Sequence, residues 1–207
     1  MRQTVFKLLF TIIFAAFAVI GINAQNSEQT RAFLDKTAKT IGKPGGISAS
    51  FTMNHPSTGN VSGTISVKGN KFNARTPQAI VWFNGKTQWT YMKRNNEVNI
   101  SNPTAAQQQM MNPYTFINIY KSGYKLSMKA TGSNNEVHLV ANNAKQSIQE
   151  MYITVNRKTY VPSSIRMRHG GKWYNITVSN FSTKNQPNRL FSFNSKDYPS
   201  AEVIDLR

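Results

Sequence analysis

From Ile47 onward, apolar and polar residues alternate with a period of two. ISASFTM sets Ile47, Ala49, Phe51 and Met53 against Ser48, Ser50 and Thr52, and VSGTISV sets Val61, Gly63, Ile65 and Val67 on one side. Side chains two apart share a face of a pleated strand, so these runs predict half-buried strands. Further short runs lie at Ala79 to Phe83, Gln88 to Met92, Val98 to Ile100, Lys125 to Lys129, Glu136 to Val140 and Glu150 to Val155. Four more fall at Ser163 to Arg168, Trp173 to Val178, Leu190 to Phe193 and Glu202 to Ile204. Turn signals such as NGK (84–86), SNNE (133–136) and HGGK (169–172) separate them. Hairpin-linked short strands in this number predict an antiparallel meander, large enough to curl.

Two stretches break the alternation. In residues 27–41, Phe33, Leu34, Thr37, Ala38 and Ile41 recur at helical spacing, with Ser27 placed to cap and Gly42, Pro44 and Gly45-Gly46 to stop the helix. In residues 103–120, PTAAQQQMMNPYTFINIY, no strand pattern survives. A loop or short helix carrying Met110 and Met111 is expected there, then a second short helix from Pro113, with Tyr114, Ile117 and Tyr120 at helical spacing. The expected fold class is mainly β (α+β): a strongly curved antiparallel sheet with an N-terminal helix and a helical mid-chain lid.

The first residues change where this fold would reside. Arg2 and Lys7 precede an uncharged run from Leu8 to Ile22, and Ala24 suits a signal-peptidase site. Residues 1–24 therefore read as a cleaved signal peptide, their apolar run being shorter than the ~20 residues of a bilayer span. Residues 25–207 then form one domain. Its net charge is +17 for the whole chain less the two leader cations, or +15. Export argues against nucleic acid as the partner of so basic a surface, leaving anionic head groups, surface polysaccharide and acidic proteins, or simple solvation. The chain has no cysteine, so it relies on packing rather than disulfides and carries no lipid on an N-terminal cysteine.

Catalytic chemistry is poorly supplied. His55, His138 and His169 stand apart without metal-ligand spacing, and the 8 acidic residues are scattered. No GxSxG or SxxK motif occurs, and GKPGG (42–46) stops a helix rather than cradling phosphate. An enzyme is not expected, nor a metal or cofactor. The apolar inventory is richer. Ile80 and Trp82 share one face of their strand, and Trp89 and Tyr91 one face of the next. If both faces point into the concavity, they line it together with Phe51, Met53, Ile65, Val67 and Phe72. Either a helix fills that concavity and all are core, or helices only lid an apolar cavity for a ligand. The adaptable methionines of the mid-chain stretch favour a lid.

GTISVKGNKFNA, followed by TPQAIVWFNGKTQWTYM, resembles the LolA family of periplasmic lipoprotein carriers, as do SASFTM (48–53) and the ending FSFNSKDYPSAEVIDLR. The most specific piece runs from Val81 to Tyr91, with Asn84 in place of the family's aspartate. The resemblance implies an unclosed β-barrel, apolar inside and lidded by helices. It also implies a soluble periplasmic carrier of acylated lipoproteins, loaded by an inner-membrane ABC-type lipoprotein-releasing transporter and emptied at an outer-membrane receptor or the membrane surface. Ligand contacts would come from the concavity residues above and from Met110, Met111, Tyr114 and Phe116 of the lid. One departure stands out: the family's lid-latching arginine is absent after Lys68, so either a neighbour such as Lys71 or Arg75 substitutes or the lid is held differently. The alternative reading is an envelope structural or adhesive module, or another lipid- or glycan-binding one, with a packed concavity.

Overall fold

The computed structural model describes residues 26–55, 59–104, 107–108 and 118–207. Twelve strands form one sheet: β1 (Ile47–His55), β2 (Gly59–Lys68), β3 (Lys71–Arg75), β4 (Ala79–Phe83), β5 (Gln88–Met92), β6 (Glu97–Ser101), β7 (Tyr124–Thr131), β8 (Asn134–Ala141), β9 (Ile148–Asn156), β10 (Pro162–His169), β11 (Lys172–Ser182) and β12 (Glu202–Asp205). Their spatial order is β12-β6-β5-β4-β3-β2-β1-β11-β10-β9-β8-β7. Two meanders, β1 to β6 and β7 to β11, are thus joined edge to edge where β1 meets β11. The sheet does not close, because β7 and β12 remain at its two ends.

Helix α1 (residues 26–41) lies against one face. Its Thr30, Leu34, Thr37 and Ile41 are buried, at the spacing of a single helical stripe. Leu34 packs with Leu126, Val137, Leu139, Met151 and Met167 of the second meander. Ile41 packs with Ile47, Val67, Phe72 and Phe83 of the first. One helix touching both meanders requires the sheet to wrap around it. Asn26 fastens the start of α1 to the β7 edge: its Oδ1 accepts from the Met128 amide at 3.1 Å. The β4–β5 turn is set locally, since Asn84 Oδ1 accepts from the amides of Lys86 (3.0 Å) and Thr87 (2.9 Å) and Gly85 takes a positive φ of 101°.

The architecture departs from expectation in four places. β3 is a strand that the alternation did not single out; its Asn73 is buried and satisfied by donating to the Val81 carbonyl at 3.0 Å. Leu190 to Phe193 is not a strand: Pro187 leads into a 3-10 turn at Asn188–Phe191 that lies against β3 and β4. Ser27 is a helical residue rather than a cap, α1 being already under way at residue 26. The sheet is also not purely antiparallel, because β12 runs parallel to β6. Of the mid-chain stretch, residues 107, 108 and 118 are helical and Ile119–Lys121 is a 3-10 turn. Met110, Met111, Tyr114 and Phe116 lie outside the described residues, so the helical lid expected there is not confirmed. Among the described residues, no helix is long and apolar enough to cross a membrane.

Candidate functional site

Strand register sorts the expected ligand contacts into two groups. Ile47, Ala49, Phe51 and Met53 oppose Val67, Ile65, Gly63 and Val61, and Val67 opposes Phe72, which opposes Phe83. Phe51, Met53, Ile65, Val67 and Phe72 therefore share the face that α1 covers. On that face an apolar row crosses seven strands: Val61, Met53, Ile176, Ile165, Ile153, Val137 and Met128. Beneath α1, Val137 and Ile153 are buried. Toward β11, β1 and β2 the row emerges, with Ile176, Met53 and Val61 only half-buried. Phe51 is half-buried beside it, and its ring leaves no room for a Cβ at the opposing Gly63, where one would also strike the Arg75 carbonyl oxygen.

The second group sits on the opposite face. Asn73 opposes Trp82, which opposes Trp89, while Arg75 opposes Ile80, which opposes Tyr91. Ile80, Trp82, Trp89 and Tyr91 thus do not join Phe51 and Met53 in one concavity. The physical reason is register: with β3 between β2 and β4, Val67, Phe72 and Phe83 share one face and Trp82 falls on the other, which the C-terminal segment covers. Trp82 meets Phe193 and Tyr198 edge-on, each at 5.6 Å, and Tyr91 meets Tyr198 at 4.7 Å. Phe191 is fully buried, and Asn96 donates to the Ser200 carbonyl at 2.7 Å. The aromatic hairpin is the floor of a second, tail-covered layer.

The connection from β6 to β7 leads from the strand beside one end of the sheet order to the strand at the other end. Its far end is tied to α1: Arg31 donates to the carbonyls of Tyr120 and Lys121, both at 3.2 Å, and the Tyr120 hydroxyl donates to Asp35. Burial, then the hydrogen bond to the Asp35 carboxylate, pushes the Tyr120 phenol well above its ordinary value. Arg31 went unnoticed in the sequence because it looks like any charge on the polar side of a helix. The expected substitutes for the latching arginine lie elsewhere. Lys68 donates to the Gln186 carbonyl at 2.9 Å, and Arg75 bonds Asn73 and lies 5.9 Å from the Trp82 ring centre, on the tail-covered face. Lys71 opposes Lys68 in the β2–β3 hairpin.

Two isolated residues of the sequence, His138 and Glu150, meet on the face turned away from α1. His138 Nε2 is 2.9 Å from Glu150 Oε1, which also accepts from the Tyr152 hydroxyl at 2.9 Å, and Arg168 lies 3.4 Å from Oε2. Burial raises the Glu150 carboxyl, but the His138 and Tyr152 hydrogen bonds and the neighbouring charges outweigh it, holding the group below the ordinary carboxylate value. Among the described residues, no three His, Cys, Asp or Glu side chains gather as metal ligands would.

The sequence profile of a family described as outer membrane lipoprotein carrier protein LolA matches residues 20–171. No curated protein matches the chain. Among solved structures, an uncharacterized conserved protein from Thermus thermophilus superposes with a TM-score of 0.59 at 13% identity, over 86% of this chain and 99% of that one. A LolA superfamily protein from Nitrosomonas europaea gives 0.43 at 10%, over 79% and 97%. LprF from Mycobacterium bovis gives 0.42 at 12%, over 75% and 94%.

Proposed function

This chain belongs to the LolA family of outer-membrane lipoprotein carrier proteins, and on that premise we propose that it binds the acyl chains of lipoproteins and carries them between membranes. In this reading residues 1–24 are removed as a signal peptide and residues 25–207 act in the periplasm, as a binding protein rather than an enzyme. The observation that carries it is the apolar row that leaves the cover of α1 at Ile176, Met53 and Val61, a greasy surface held half-open beside Phe51.

The energetics set what such a surface must do. A buried methylene is worth ~0.8 kcal/mol, so a 16-carbon chain brings on the order of 12 kcal/mol before losses. A carrier must nearly match what a bilayer offers and still release its cargo. Release is easiest if apolar groups of the protein reoccupy the surface as the chain leaves, which is the role we assign to Met110, Met111, Tyr114 and Phe116. Arg31, Asp35 and Tyr120 would anchor that segment to α1. An inner-membrane ABC-type transporter would load the protein, and an outer-membrane receptor or the membrane surface would unload it. The basic exterior would favour docking to acidic partners.

The test is co-purification of acylated protein with the full-length chain expressed in its native envelope, read by mass spectrometry of bound lipid. Met53→Glu places a charge on the row and is expected to abolish bound acyl chains without lowering the melting temperature. Normal cargo in a folded Met53→Glu protein would overturn the assignment.

A further inference from the structure

The face turned away from α1 holds a second site of different chemistry. Register stacks three rows there. His138, Tyr152, Arg166 and Asn175 form one; Glu136, Thr154, Ser164 and Thr177 form the next; Glu150, Arg168 and Trp173 form the third. Together β7 to β11 floor an open groove of about 500 Å³, with Lys129, Arg166, Asn175 and Thr177 on its walls. That lies within the roughly 300–1,000 Å³ range of small-ligand sites.

Two cations, Lys129 and Arg166, line the groove, and one of them has a carboxylate partner. Lys129 pairs with Glu136 at 2.9 Å, while His138 and Arg168 share Glu150. Arg166 forms no salt bridge among the described residues. Its guanidinium instead lies 4.6 Å from the Tyr152 ring centre and 4.5 Å from that of Trp173. The His138 ring, stacked on Tyr152 at 4.2 Å and 5° between planes, braces that ring in turn. Two rings hold the cation through its π contacts without neutralising its charge. A guanidinium so held suits the two oxygens of a carboxylate or phosphate. The hydroxyls of Thr154, Ser164 and Thr177 and the amide of Asn175 add both donors and acceptors along the same groove.

Three ligand classes can be compared on this chemistry. A single-stranded nucleic acid needs a track of cations and free ring faces, but the groove offers one unpaired cation, and cations or His138 already lie against both rings. An extended peptide needs a free sheet edge, and β9, β10 and β11 are all internal. One anionic group on a hydroxyl-rich body satisfies both the arginine and the polar walls. We propose that this groove binds an acidic sugar unit of a glycan, with Arg166 gripping its carboxylate or phosphate and Thr154, Ser164, Asn175 and Thr177 holding its hydroxyls.

The experiment is calorimetric titration of the full-length protein with uronic-acid oligosaccharides, with phosphorylated oligosaccharides and with neutral oligosaccharides of equal length. Free phosphate, a single-stranded oligonucleotide and an acidic peptide complete the set. One acidic sugar series is expected to bind at least about tenfold more tightly than the neutral one, the difference being one charge-assisted hydrogen-bonded contact. The series that binds identifies the anion. Arg166→Lys, which keeps the charge and loses the fork, is expected to weaken binding about tenfold, with Tyr152 and Trp173 fluorescence checking the fold. Thr177→Val gives a second reading should the arginine variant prove unstable, and is expected to weaken the sugar series alone. Both variants should keep their acyl cargo, and Met53→Glu should keep its sugar. Equal affinity for neutral and acidic sugars, tighter binding of phosphate, oligonucleotide or peptide than of any sugar, or indifference to both substitutions would overturn the proposal.

Discussion

The sheet carries two apolar layers, and they are built differently. The layer under α1 is mostly aliphatic: Leu34 of the helix interlocks with Leu126, Val137, Leu139, Ile153 and Val155, and the row through Val137 and Ile153 runs out from under it half-covered. The layer under the C-terminal segment is aromatic and local, with Trp82, Tyr91, Phe193 and Tyr198 meeting at ring distances of 4.7 to 5.6 Å. A layer that must admit a guest leaves part of its surface unsatisfied. The centre of the aromatic layer is closed, with Trp82 4% exposed and Phe191 fully buried. Around it Trp89, Tyr91, Phe193 and Tyr198 are half-buried, as Ile176, Met53 and Val61 are on the other face, so what separates the layers is the cover: a folded-back tail on one side and a single helix on the other.

The sharpest way to break the comparison is to truncate the buried tryptophan of the aromatic layer. Trp82→Ala should destabilise the protein by about 3–5 kcal/mol in urea unfolding, the usual cost of removing a buried tryptophan. It should do so without a specific loss of cargo from whatever fraction remains folded. A mild effect on stability with complete loss of cargo would place the hairpin in the binding surface after all.

A smaller effect tests the tie between α1 and the start of the second meander. Because burial and the Asp35 hydrogen bond raise the Tyr120 phenol, the folded state holds that proton more tightly than the unfolded one. The stabilisation is complete below the unfolded tyrosine value of about 10 and is lost as pH rises above it. Tyr120→Phe should cost about 1 kcal/mol at neutral pH, the typical worth of one hydrogen bond, and should flatten the alkaline limb of a melting-temperature profile. An unchanged alkaline limb would mean that the contact contributes nothing to the fold. The smallest effect belongs to the sheet end beyond the tail-covered layer. Val203 on β12 is 48% exposed, and Val203→Lys should change stability by no more than about 0.5 kcal/mol. A larger loss would show that this edge is covered in solution.

Much of this was legible in the chain. The bounds Ala79–Phe83 and Gln88–Met92 follow from local alternation and from Asn84-Gly85, whose turn chemistry needs no distant partner. The stripe of α1 was legible for the same reason. The placement of the aromatic hairpin was not. A period of two says that Ile80 and Trp82 share a face, but which face depends on counting residues through every intervening strand. Without β3 in the count, the link from Val67 through Phe72 to Phe83 is lost, and Trp82 can be assigned to either side. AIVWF did hold a clue, since a strand covered on both faces reads as a continuous apolar run.

Pattern and turn chemistry thus specified the helix and most of the strands, because each depends on residues a few positions apart, and the motif resemblance pointed to the family. The partition of apolar side chains between a layer half-covered by α1 and a tail-covered one came from contacts across the whole chain. Those are the β1–β11 pairing, which brings Met53 to Ile176, and the return of Phe193 and Tyr198 over β4 and β5. Burial is a property of what arrives from elsewhere in the chain, and no local pattern encodes that arrival.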